Sequence, residues 1–156
     1  METLTAEATQ LAGEKFAEKL LNFWESSKAR VAVLYGDLGS GKTTFIQGMA
    51  KGLGIKKRII SPTFLIVRNY KMKKSKVKSQ NYNSKFKSFY HVDLYRTQDE
   101  GDLEGLGLKE ILEDPQNIVA IEWGEKLGKL MPKKRCDVKL EYLNEDKRRI
   151  TIDEQY

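Results

Sequence analysis

A chain of 156 residues with 40% hydrophobic content is long enough to bury a core, and it reads as one domain over 1–156. No run of about 18 apolar residues and no basic start before an apolar block occur, which excludes a membrane span and a secretory signal. The single cysteine, Cys136, excludes an internal disulfide and a cysteine-rich metal site; a cytoplasmic location follows as the default, and the formal charge of +6 is concentrated in residues 71–89, which hold seven lysines and no acid.

Residues 5–28 have the pattern of an amphipathic helix. Thr5 suits the N-cap, Glu7 the first turn, and Ala12, Phe16, Leu20 and Trp24 recur every four residues as an apolar stripe. An aromatic on such a stripe reads as core. The apolar run Val31-Ala32-Val33-Leu34-Tyr35 then leads into Gly36-Asp37-Leu38-Gly39-Ser40-Gly41-Lys42-Thr43, and a helix is expected from Thr44 to Lys51. Strand, glycine-rich loop and helix in that order have the spacing of a phosphate-binding P-loop. A triphosphate must be surrounded by backbone N–H groups, which side chains would obstruct, so glycines recur. The positive end of the following helix faces the phosphates. Lys42 supplies a mobile charge for the β/γ oxygens, and the Thr43 hydroxyl suits a Mg²⁺ ligand. Asp37, Leu38, Gly39, Ser40, Gly41, Lys42, Thr43 and Thr44 are therefore the expected nucleotide-binding residues.

Downstream, Phe64 to Tyr70 reads as a strand, with Ser61-Pro62-Thr63 a stiff loop before it. The Thr63 hydroxyl could reach the γ-phosphate or its metal, or it caps a turn. Residues 71–89 read as a mobile insertion or an extended hairpin. Lysines interleaved with Tyr82, Phe86 and Phe89 could hold an RNA backbone and stack a base, but a solvated insertion without a partner is the favoured reading. Residues 88–96 alternate as a strand that places His91, Asp93 and Tyr95 on one side. Asp93, an acid amid apolar neighbours, either serves Mg²⁺ and the attacking water or pairs with Arg96 or a lysine. His91, the chain's one histidine, reads as a hydrogen-bonded structural ring rather than a catalyst.

Residues 102–112 suggest a short helix interrupted by glycines, stopped by Asp114-Pro115. The continuous apolar run 117–121 has the character of a central parallel strand, with Glu122 at its carboxyl end. An acid there is placed to hold Mg²⁺ or its waters, because ligands collect at the carboxyl ends of parallel strands. Trp123 either walls the nucleotide site or covers the core. Two strand-like runs, 136–143 and 148–154, flank a hairpin turn at Asn144-Glu145-Asp146-Lys147. Cys136 reads as half-buried filler.

Four landmarks now stand in one order: Gly-Asp-Leu-Gly-Ser-Gly-Lys-Thr (36–43), Ser-Pro-Thr-Phe (61–64), Tyr-His-Val-Asp-Leu-Tyr-Arg (90–96) and Ile-Glu-Trp (121–123). With Leu103-Glu104-Gly105-Leu106-Gly107 between the last two, the chain resembles the TsaE (YjeE) family from about residue 5 to 152. The resemblance implies a bacterial ATPase needed for N6-threonylcarbamoyladenosine at position 37 of tRNAs reading ANN codons. It implies TsaD and TsaB as partners, with tRNA an indirect partner, and ATP and Mg²⁺ as the nucleotide and metal. By motif match, Lys42 and Thr43 hold phosphates and Mg²⁺, and Thr63 is a switch-like residue near the γ-phosphate. Asp93 and Glu122 serve metal and hydrolysis, and Trp123 is the motif aromatic; Lys42, Asp93 and Glu122 are the expected catalytic set, Thr43 and Glu122 the metal set. The departure is the lysine-rich segment 71–89, longer than the family pattern, which leaves the ATP site intact but puts a partner surface at that edge in doubt.

The expected fold is a three-layer α/β P-loop NTPase with a mixed, mostly parallel sheet and a C-terminal β-hairpin. Two rivals stand beside the ATPase. A small-molecule kinase would need an acceptor pocket and usually an arginine-bearing lid, and no such lid is evident. A tRNA-binding module would use 71–89 directly. No Asn/Thr-Lys-x-Asp tetrapeptide occurs, which favours ATP over GTP.

Overall fold

The computed structural model describes residues 1–22, 27–61, 66–72 and 85–155. Among them the strands are β1 (Glu2–Thr3), β2 (Arg30–Tyr35), β3 (Val67–Lys71), β4 (Ser88–Asp93), β5 (Asn117–Glu122), β6 (Arg135–Tyr142) and β7 (Arg148–Gln155). The helices are α1 (Ala6–Asn22), α2 (Lys42–Gly52) and α3 (Leu108–Glu113), with 3₁₀ turns over Glu100–Leu103 and Gly124–Leu130. The strands form one sheet in the order β1-β7-β6-β2-β5-β4-β3. Its centre, β6-β2-β5-β4, is parallel; β3 joins one side antiparallel, and on the other β7 pairs antiparallel with β6 and the short β1 antiparallel with β7. The mixed α/β sheet, parallel through its centre, and the β6–β7 hairpin match the expected architecture.

Strand periodicity explains the layering. On β2, Ala32 and Leu34 point into a core shared with α1 and α2, while Val31 and Val33 enter a second core with α3. β5 repeats this with Ile118 and Ala120 on one face and Val119 and Ile121 on the other. Both faces are covered, so all six residues of β5 are buried, and the strand reads as a continuous apolar run.

α1 begins where Thr5 Oγ1 accepts the Ala8 amide at 3.0 Å, as its N-cap role requires. Ala12, Phe16 and Leu20 bury the apolar stripe, and Phe16 meets Phe45 of α2 with ring centroids 5.5 Å apart. Each such buried large side chain contributes about 1.5–3 kcal/mol. The two helices approach closely at glycines. A Cβ on Gly13 would fall on the Phe45 carbonyl, and one on Gly48 on the Gln10 carbonyl. The sequence pattern shows the apolar faces but not this contact.

Several boundaries differ from the sequence reading. α1 is described as far as Asn22, whose side-chain amide donates to the Glu18 carbonyl at 2.9 Å; 23–26, including Trp24, lie outside the described residues, and Ser27 and Lys28 are bends, so the expected helix end falls outside them. β3 starts at Val67 rather than Phe64, after Ile66 at φ 61°, with Phe64 itself outside the described residues. β4 stops at Asp93, because its carboxylate takes the Tyr95 amide at 3.0 Å and the chain turns. Within 71–89, Lys71 pairs with Ser88 and the Met72 amide bonds the Lys87 carbonyl, so both arms of a hairpin are present; 73–84, including Tyr82, lie outside the described residues. Phe86 and Phe89 are 3% and 0% exposed in the α1–α2 core. They have no face left for a base, which corrects the stacking role considered for them.

Two predictions follow from packing. Gly48→Ala forces backbone apart at the helix crossing and should cost about 1–3 kcal/mol, read as a lower urea midpoint at unchanged m-value. Cys136 is 1% exposed, and burial, with Glu154 and Asp137 adding to it, pushes its thiol up to about 12. A thiol-specific reagent at pH 8 should therefore leave the folded protein unlabelled and react at once in denaturant.

Candidate nucleotide-binding site

β2 delivers the chain to the loop 36–41, which opens directly into α2. Gly39 (φ 79°) and Gly41 (φ 100°) hold left-handed conformations that a side chain would strain. Gly41 is the N-cap of α2 without a side-chain cap, and no acid stands in the first turn. The amides at this helix start, with the positive end of its dipole, are thus left for an anion. Asp37, Leu38 and Gly39 form the exposed tip, while Ser40 is buried with its hydroxyl unpartnered among the described residues.

Lys42 is 5% exposed. Its ammonium donates to the carbonyls of Gly36 at 2.6 Å and Asp37 at 2.9 Å, and lies 4.3 Å from the centre of the Trp123 ring. Burial lowers its pKa, opposed chiefly by the charges of Glu122 and Asp93. The cation therefore rests inside the loop, held by backbone dipoles and a π face.

The parallel register assembles the rest. Asp93, last in β4, is paired with Glu122, last in β5, and Glu122 is paired in turn with Leu34 of β2. Both carboxylates thus stand beside the loop at the carboxyl edge of the sheet. Glu122 Oε1 accepts the Thr43 hydroxyl at 2.9 Å and lies 2.8 Å from His91 Nε2. Asp93 Oδ2 accepts the Ser61 hydroxyl at 2.8 Å, and Oδ1 the Tyr95 amide. Trp123 takes a left-handed backbone (φ 61°) directly after β5, and its ring centre is 5.1 Å from that of Tyr95.

The structure therefore brings Lys42, Thr43, Asp93, Glu122 and Trp123 into one cluster. Thr63 lies outside the described residues; Ser61, two positions before it, is tied to Asp93. Thr44 faces a different space, a cavity of about 190 Å³ lined also by Thr5, Thr9, Gly41 and Arg148. Arg148 reaches this edge from the start of β7. Its guanidinium packs 4.5 Å from the centre of the Tyr142 ring, donates to the Asn144 carbonyl at 2.7 Å and reaches the Gly39 carbonyl at 3.4 Å. No sequence signal pointed to Arg148 or Thr9, since both are brought to the loop by tertiary folding. Two larger clefts, of about 490 and 370 Å³, are lined by no residue of the loop.

Among the described residues no group of three or more His, Cys, Asp or Glu is arranged to hold a metal. Mg²⁺ does not need one, since it takes one or two protein oxygens and completes its shell with waters and phosphates. The hard oxygen donors Thr43 Oγ1 and Glu122 beside an uncapped helix start fit that requirement.

Residues 4–150 match the family described as "Threonylcarbamoyl adenosine biosynthesis protein TsaE". Relatives named "tRNA threonylcarbamoyladenosine biosynthesis protein TsaE" include one from Haemophilus influenzae, 36% identical over 133 residues, covering 85% of this chain and 75% of that one. Another, from Bacillus subtilis, is 37% identical over 122 residues, covering 78% and 68%. A third, from Aquifex aeolicus, is 34% identical over 142 residues, covering 88% and 86%. The crystal structure of Bacillus subtilis YdiB superposes with a TM-score of 0.67 at 24% identity, spanning 100% of this chain and 84% of that one, and so shares the fold. With the family match running through the loop, both carboxylate strands and into the terminal hairpin, the chain belongs to the TsaE family.

Proposed function

We propose that this chain binds Mg²⁺·ATP at the 36–43 loop and hydrolyses it in the service of tRNA threonylcarbamoyladenosine formation, the role its family carries. The observation that supports the chemistry is the convergence of Lys42, Thr43, Asp93 and Glu122 at the carboxyl ends of three adjacent parallel strands. A bound magnesium ion would neutralise charge on the β- and γ-phosphates.

The protein's own groups divide the remaining work. The helix-start amides receive phosphate oxygens, and Lys42 exchanges its two carbonyl partners for them. Thr43 and Glu122 would hold the metal. Asp93, fastened to Ser61 and paired in register with Glu122, orients the attacking water together with it. The cavity of about 190 Å³ beside Thr44, which is lined also by Gly39 and Gly41 of the loop, is the space open to the nucleoside. Trp123 closes the site against bulk water. ATP, rather than GTP, is the nucleotide, in a cytoplasmic protein whose partners are TsaD and TsaB.

Calorimetry tests the nucleotide. Wild type should bind Mg²⁺·ATP, and Lys42→Ala should weaken it by about 1.5–3 kcal/mol, the worth of hydrogen bonds to a charged group. A site that takes up no ATP would overturn the proposal. The partner claim has its own measurement: phosphate release should be slow for the isolated chain and rise on adding TsaB and TsaD, and identical rates would count against it.

A further inference from the structure

We infer that His91 is a positioning residue, which fixes the Glu122 carboxylate so that Thr43 and Glu122 together seat the divalent cation of the nucleotide. The inference rests on the Mg²⁺·ATP reading above and goes beyond it by giving the buried imidazole a task.

His91 is 0% exposed and sits on β4 two residues before Asp93. Its register partner on β5 is Ala120, and the small side chain there leaves room for the ring to reach diagonally to Glu122. Nε2 lies 2.8 Å from Glu122 Oε1, while Nδ1 is buried and has no partner among the described residues. That asymmetry chooses the tautomer. A proton on Nδ1 would leave a buried donor without an acceptor and turn the Nε2 lone pair against a carboxylate oxygen. With the proton on Nε2, the ring donates to Glu122 and only a lone pair goes unmatched.

Glu122 Oε1 then accepts two hydrogen bonds from opposite neighbours, the imidazole on β4 and the Thr43 hydroxyl on α2. Two donors on one oxygen fix the carboxylate plane, and Oε2 takes part in neither bond. A flexible glutamate is thereby preorganised with one oxygen committed to the protein and one left for the metal or its water. Packing alone does not account for the residue: an apolar side chain would fill the space without an unmatched buried nitrogen. Outer partners of this kind typically set metal affinity by 10–100-fold.

The test compares ATP affinity with Mg²⁺ and with EDTA for wild type, His91→Gln and His91→Leu. Glutamine carries an amide N–H to roughly the Nε2 position; leucine fills the volume and donates nothing. His91→Leu should lose about tenfold in affinity for Mg²⁺·ATP and little for metal-free ATP, with His91→Gln recovering most of the loss. Equal losses in both conditions, no loss, or no rescue by glutamine would overturn the inference and leave the nucleotide reading standing. Absence of ATP binding by wild type would overturn both. Should His91→Leu fail to fold, His91→Asn replaces it, since its amide stops near the Nδ1 position and should not rescue. In the nucleotide-free protein, ¹⁵N spectra of this lone imidazole should place the proton on Nε2; a bare Nε2 facing Glu122 would refute the assignment.

Discussion

The structure depends on the hydrogen-bonded register among β2, β5 and β4. Each parallel strand ends at the same edge, so its last residue is fixed relative to its neighbours by backbone geometry alone. Leu34, Glu122 and Asp93 are adjacent for that reason, and the loop that leaves β2 begins two residues beyond Leu34, at Gly36. A slip of one residue on β5 would turn Glu122 into the opposite face and replace it with an apolar neighbour. Burial of the sheet on both sides makes such a slip costly. The same apolar cores that stabilise the fold therefore hold two carboxylates beside an anion-binding loop.

The two faces of the sheet contribute differently. On one, α1 and α2 are clamped through Gly13 and Gly48, so the helix that carries Lys42 and Thr43 has little freedom to shift. On the other, α3 and the 3₁₀ turns pack a smaller core under Trp123 and Tyr95. The rigid face bears the uncapped amides at the start of α2. The other bears the aromatic wall. Strain at Trp123, held left-handed between Glu122 and Gly124, is concentrated where the ring meets Lys42.

Much of this was legible in the chain. The glycine spacing around Lys42 announced the loop because backbone approach to phosphate demands it, and Glu122 stood out as an acid closing an apolar run. The central strands and the terminal hairpin followed from periodicity and turn chemistry. What stayed hidden depended on contacts between distant segments. The helix crossing at Gly13 and Gly48 is invisible to an amphipathic pattern, which records which face is buried but not how near two backbones come. Phe86 and Phe89, among so many lysines, left stacking on a base open as the less favoured reading of 71–89, but strand alternation carries Phe89 inward and the hairpin arm carries Phe86 with it. His91 read as a hydrogen-bonded structural ring, and its hydrogen-bond partner could not be named from the sequence; that partner, Glu122, is 31 residues away and arrives only when β4 and β5 pair.

Arg148 joins two parts of the molecule that sequence keeps 109 residues apart. One guanidinium is shared among the hairpin-turn carbonyls, the Tyr142 ring and the carbonyl of Gly39. The tip of the terminal hairpin is thus tied to the glycine-rich loop by a side chain, outside both apolar cores. Removing that one guanidinium would separate residues 144–147 from Gly39 while leaving the packing of the sheet untouched.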